Sequence, residues 1–124
     1  MMGETLVLIV DDDDDVRDGI RDLLVDEGFG VAVARDGADA LEQLRAGLRA
    51  DVIVLDVMMP VMGGREFREA QLKDAGLASI PVIMCSADLR ADLPGPRVHA
   101  LAKPFGLDQL LGTLALALRR LPAA

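Results

Sequence analysis

The chain has 124 residues, just over half of them apolar, which suffices for one domain with one solid core and leaves little room for two. A net charge of −8 and the absence of Tyr and Trp argue against a nucleic-acid surface, since phosphate binding needs a basic face and base stacking needs aromatic rings. No apolar run reaches the length of a membrane span, the amino terminus lacks a signal-peptide pattern, and a single cysteine excludes an internal disulfide, so a cytoplasmic location is expected.

Leu6-Val7-Leu8-Ile9-Val10 is a continuous apolar run that reads as a buried strand ending in acid. Five consecutive carboxylates follow, Asp11 to Asp15. Asp13, Asp14 or Asp15 can cap a helix, because an Asp oxygen accepts the orphan amide protons of a first turn. Val16, Ile20, Leu23 and Leu24 recur at helical spacing and give that helix an apolar face, and Gly28 ends it. Val31-Ala32-Val33-Ala34 is a short second strand. Asp36 caps a second helix that turns Ala40, Leu41 and Leu44 inward and stops near Gly47.

Asp51 opens a third strand, Val52-Ile53-Val54-Leu55, which runs straight into Asp56 and then Val57-Met58-Met59-Pro60. A third helix after Gly64 places Phe67, Ala70 and Leu72 or Ala75 on its inner side. Pro81-Val82-Ile83-Met84-Cys85 is a fourth strand ending at Ser86, with Cys85 read as a core residue. Residues 87–98 contain Pro94-Gly95-Pro96, which cannot continue a helix, so at most a turn or two of helix fits there. His99-Ala100-Leu101-Ala102 is a short last strand, followed by Lys103-Pro104-Phe105. The final helix is marked by Leu107, Leu110, Leu111, Leu114, Leu118 and Leu121 on one stripe, with Leu116 off it.

Strands alternating with helices imply βαβ crossovers. The expected fold is therefore α/β: a doubly wound, five-stranded parallel sheet in the flavodoxin-like order 2-1-3-4-5. About five helices fit, the one between the fourth and fifth strands being short or irregular. The whole of residues 1–124 forms one domain.

In such a sheet Asp11 and Asp12 follow strand one, Asp56 ends strand three, Ser86 ends strand four and Lys103 ends strand five, all at one edge. Packed carboxylates repel, and a hard divalent cation removes the conflict; carboxylates with a backbone carbonyl and waters describe a Mg²⁺ site. Lysine adds a point positive charge and serine a hydroxyl. Together these suit a phosphoryl group, with Asp56 as its acceptor.

Val10-Asp11-Asp12, the Asp56-Val57-Met58-Met59-Pro60 run with Met62 and Gly64, Ser86-Ala87 and Lys103-Pro104-Phe105 resemble, in order, the signature of response-regulator receiver domains. The resemblance covers nearly the whole chain. It implies a two-component or phosphorelay role in which Asp56 takes a phosphoryl group from a sensor histidine kinase or a histidine phosphotransfer protein. It implies that Asp12 binds Mg²⁺ directly, Asp11 through water, and Met58 through its backbone carbonyl. Ser86 would move its hydroxyl to a phosphoryl oxygen and Lys103 would hold another, with a cis peptide before Pro104. Such a domain catalyses only its own phosphorylation and slow dephosphorylation, so it is a switch rather than an enzyme. A downstream protein effector, or an output domain lost from a larger regulator or hybrid kinase, would read it, and a dimer is possible.

Plainer readings stand beside this one. Asp13 to Asp15 read as a solvated helix cap. A calcium loop with Asp11, Asp13 and Asp15 would need glycine where Val16 stands. His99, the only histidine, reads as a partner or solvent contact. A phosphorylation-independent adaptor and an aspartyl phosphatase are the competing functions; the complete Asp11, Asp12, Asp56, Ser86 and Lys103 set opposes the first. Met58, where a phosphatase wants a second acid, opposes the other. Two departures from the family concern output: Ala100 stands where receivers carry Tyr or Phe, and residues 87–98 are short. Rearrangement of that segment itself is the expected readout.

Overall fold

The structure, a computed structural model, describes residues 4–59, 61–88 and 91–119. Among these residues nine elements follow in chain order: β1 (Leu6–Val10), α1 (Asp14–Asp26), β2 (Gly30–Ala34), α2 (Gly37–Arg45), β3 (Val52–Asp56), α3 (Gly64–Leu72), β4 (Val82–Ser86), β5 (Val98–Ala102) and α4 (Leu107–Leu118). The strands form one parallel sheet in the order β2-β1-β3-β4-β5, the order expected from the alternation of strands and helices. Pro60 and Leu121 lie outside the described residues.

The unbroken apolar strands follow from a sheet covered on both faces, because successive side chains point to opposite sides. Leu8, Val10, Ile53, Leu55, Val82 and Met84 point to one side and pack with Leu41 and Leu44 of α2 and Phe67 of α3. Val7, Ile9, Val52, Val54, Ile83 and Cys85 point to the other and pack with Ile20 and Leu24 of α1 and Leu110 and Leu114 of α4. The caps are those the sequence suggests. Asp13 accepts from the amides of Asp15 and Val16 at 3.0 and 3.1 Å, and Asp36 accepts from Asp39 N at 2.8 Å. Gly28 (φ 96°) and Gly47 (φ 114°) leave α1 and α2 in the left-handed region that a side chain disfavours.

Two helix faces differ from expectation. In α1 only Ile20 and Leu24 are buried, while Val16 and Leu23 are 40% and 44% exposed. The helix meets the sheet along a narrow seam, and residues one position off it face solvent. In α3 the inner side is Phe67, Arg68 and Gln71; Leu72 is half-buried and Ala75 lies beyond the helix, exposed. The two polar side chains are inside because Arg68 serves the connection between β4 and β5, and Gln71 serves the one between α3 and β4.

That connection, residues 87–97, contains no helix among the described residues. Eleven residues is close to the minimum for a crossover between parallel strands, so most of the chain is spent on reaching the start of β5. Leu93 is buried against the face of the sheet that α2 and α3 cover, and Ala91 packs beside it. Gly95 and Arg97 have positive φ, 87° and 61°, which turn the coil back towards the sheet.

Candidate phosphoacceptor and metal site

Each candidate side chain is delivered by the end of a strand. β1 stops at Val10 and places Asp11, which is buried, and Asp12, which is exposed. The β1–α1 loop is held by the Asp11 side chain itself, whose Oδ1 accepts from Asp13 N at 2.9 Å. Asp56 is the last residue of β3 and buried, with Oδ1 accepting from Met58 N at 3.3 Å. Ser86 ends β4, buried, and its Oγ accepts from Asp88 N at 3.0 Å. Lys103 follows β5, its amide donating to Ser86 O at 3.0 Å, so the ends of β4 and β5 are tied side by side. The Lys103–Pro104 peptide is cis, as the resemblance implies.

These ends converge. One carboxylate oxygen each from Asp11, Asp12 and Asp56 can be chosen so that all lie within 4.8 Å of one another. Lys103 Nζ stands 3.4 Å from Asp56 Oδ1 and 3.7 Å from Asp11 Oδ2. Asp56 Oδ1 therefore faces both the ammonium and the Met58 amide, while among the described residues no hydrogen-bond donor engages Oδ2.

The electrostatics are those of a site short of positive charge. Burial pushes the Asp56 carboxyl above its ordinary value; Lys103 pulls it down, but the nearby Asp11 charge pushes it up again. For Lys103 burial is the largest single influence and lowers its value. The combined pull of Asp56 and Asp11 outweighs this and leaves the ammonium held above the ordinary range. One lysine thus does not neutralise the carboxylates around it. A compact all-oxygen donor set with uncompensated negative charge fits a hard divalent cation such as Mg²⁺.

Sequence reasoning overlooked Arg17. Its Nη1 donates to Asp11 O at 3.3 Å and its Nη2 pairs with Asp14 at 2.6 Å, bracing the acidic loop from behind. The available signal was that Arg17 is the only cation among residues 11–18, on the first turn of a helix that Asp13 caps. Two further expectations are clear in the structure. Cys85 is buried, its thiol pushed up to about 12 chiefly by burial. On β5, Ala100 is exposed and His99 half-buried.

Residues 7–115 match the family model of the response regulator receiver domain. The chain is 39% identical over 119 residues to the response regulator MprA of Mycobacterium sp. (strain KMS), an alignment covering 92% of this chain and 50% of that protein. It thus spans about half the length of the curated relatives it matches. Among solved structures it is similar to the chemotaxis protein CheY4 of Vibrio cholerae, at 32% identity and a TM-score of 0.82, covering 93% of this chain and 99% of that one. It is also similar to TrrA of Thermotoga maritima, solved in complex with Mg(2+)-BeF, at 26% identity and a TM-score of 0.79, covering 91% and 98% of the two chains.

Proposed function

The chain belongs to the response-regulator receiver domain family, and from that membership we propose that Asp56 accepts a phosphoryl group from a phosphohistidine of a sensor histidine kinase or histidine phosphotransfer protein. The observation that carries this reading is the convergence of Asp11, Asp12, Asp56 and Lys103 from the ends of three different strands.

Asp56 attacks as a carboxylate. An Asp56 oxygen forms the new O–P bond while the N–P bond of the donor breaks, and the electron pair leaves with the imidazole nitrogen. The free Oδ2 is the better nucleophile, because Oδ1 is engaged by Lys103 and Met58 N. Lys103 then offers its ammonium to a phosphoryl oxygen. Ser86 accepts from Asp88 N through Oγ, which leaves its own proton to donate to another phosphoryl oxygen. Asp11, Asp12, Asp56 and the Met58 carbonyl would hold Mg²⁺, which when bound supplies the positive charge that the carboxylates and phosphoryl oxygens lack. Mg(2+)-BeF bound to the similar TrrA supports that assignment.

The modified domain would act on a downstream protein effector, or on an output domain within a longer protein, since the matched relatives extend well beyond this chain. No described helix is long and apolar enough to cross a membrane.

The test is intact mass after incubation with Mg²⁺ and acetyl phosphate, with Asp56→Asn alongside. One phosphoryl adduct on the wild type and none on the variant is expected. An adduct that survives in Asp56→Asn would place the acceptor elsewhere; no adduct from either a small donor or a competent kinase would leave a phosphorylation-independent adaptor.

A further inference from the structure

A helix satisfies its own carbonyls, but a coil laid against a core leaves them without partners. Residues 92–97 are such a coil, and Pro94 and Pro96 also lack N–H groups with which to build local turns. The donors come from α3. Arg68 is fully buried; its Nε donates to Pro94 O at 2.8 Å, its Nη2 to Pro96 O, and its Nη1 to Gln71 Oε1 at 2.8 Å. Gln71, equally buried, donates through Nε2 to Leu77 O at 2.9 Å and Ile80 O at 3.0 Å, in the stretch that leads into β4. Among the described residues no carboxylate pairs with Arg68, and the acceptors it meets there are these neutral oxygens. The seat is close: a Cβ on Gly95 would come within 2.8 Å of Leu72 Cδ1 and 3.0 Å of Arg68 Nη2. Arg65 donates to Asp92 O at 3.1 Å and Arg97 to Ser79 O at 3.2 Å, fastening both ends.

We propose that Arg68 and Gln71 form a latch that stays closed whether or not the domain is phosphorylated, fixing residues 92–97 to α3 so that movement begun at Ser86 stops before this strap. Opening the latch would break two hydrogen bonds from a charged donor and unseat Leu93 from the core, which opposes movement of the strap. The moving part is then Ser86 to Asp88, where Ser86 Oγ holds Asp88 N. The strap is instead a fixed shelf beside β5. The proposal rests on Asp56 being the phosphoacceptor only for its second half, the persistence of the latch in the modified state.

The test is NMR on the full chain with Mg²⁺, before and after acetyl phosphate. We expect a slowly exchanging Arg68 Nε–H signal, and Pro94 and Pro96 carbonyl shifts that hold still while Ser86, Ala87 and Asp88 move. Arg68→Met should speed amide exchange at Asp92, Leu93, Gly95 and Arg97 by about tenfold or more and let the shifts spread into the strap, with Arg68→Lys in between. Gly95→Ala, which pushes the strap off its seat, serves if Arg68→Met does not fold. Arg68 and the two proline carbonyls moving as far as Ser86 overturns the latch, and so does an Arg68→Met strap that exchanges like the wild type. Intact mass on the same samples separates the two claims. If no adduct forms, the phosphoacceptor reading falls, and the exchange comparison on unmodified protein alone decides whether the latch exists.

Discussion

Asp56 shows how one carboxyl can be placed for chemistry at the expense of stability. Its value in the fold lies above the ordinary 3.8, through burial first and the Asp11 charge next, against the pull of Lys103. A raised carboxyl favours the fold only below its unfolded value, and that advantage is lost as pH rises through the folded value. At neutral pH the ionised Asp56 therefore destabilises the metal-free protein. Asp56→Asn should melt higher than wild type at pH 7 without divalent ions, the gap closing as pH falls towards the ordinary carboxyl range. Mg²⁺ should raise the melting temperature of the wild type more than that of the variant, and a thermal scan with and without the ion checks both. Cys85 makes a second case. With its thiol pushed up to about 12 by burial, it should resist thiol reagents in native protein and react fully in denaturant. The sign for stability is the same: the contribution is intact below the unfolded value of 9.0 and is lost as pH rises from there to about 12.

Among the elements, the junction of β3 with α3 bears most directly on the site. Gly64 opens α3 and donates to Val57 O at 3.0 Å, and a Cβ there would come within 2.8 Å of Val57 Cα and 3.1 Å of Asp56 O. Both are backbone atoms, so the strand end would have to move. Gly64→Ala should cost about 2–3 kcal/mol in urea denaturation and slow acetyl-phosphate labelling of Asp56 by displacing it. The strands, their order and the converging acids were legible in the sequence because buried parallel strands have unbroken apolar runs and each ends in a polar residue. The helix faces were less so. Val16 and Leu23 fit a 3.6-residue period but lie off a seam whose width only packing sets. Arg68 and Gln71 look like surface residues in any periodic reading. The burial of Arg68 depends on carbonyls of Pro94 and Pro96, more than twenty positions away, and on those residues being coil, while Gln71 is held by Arg68 and by the carbonyls of Leu77 and Ile80. The presence of proline and glycine announced the coil; the donors it would call for were not local and so were not visible.

For the molecule as a whole, 21 acidic and 13 basic residues leave an excess of eight negative charges, with Asp11 to Asp15 together at one edge of the sheet. Screening such self-repulsion should raise the urea midpoint between about 10 mM and 300 mM monovalent salt, with Asp12→Asn showing a smaller rise. The short connection between β4 and β5 carries a different consequence, for the order in which the chain assembles. Joining β4 to β5 closes a loop of 11 residues, 87–97, whereas joining β1 to β3 closes 41, residues 11–51. Chain statistics alone make the first closure cheaper by about 1 kcal/mol. Ser86 and Lys103 therefore come together as a local event, and Asp11 meets Asp56 only through a distant one. The half of the site that would grip a phosphoryl group is closed by the cheaper loop, and the half that would receive it by the costlier one.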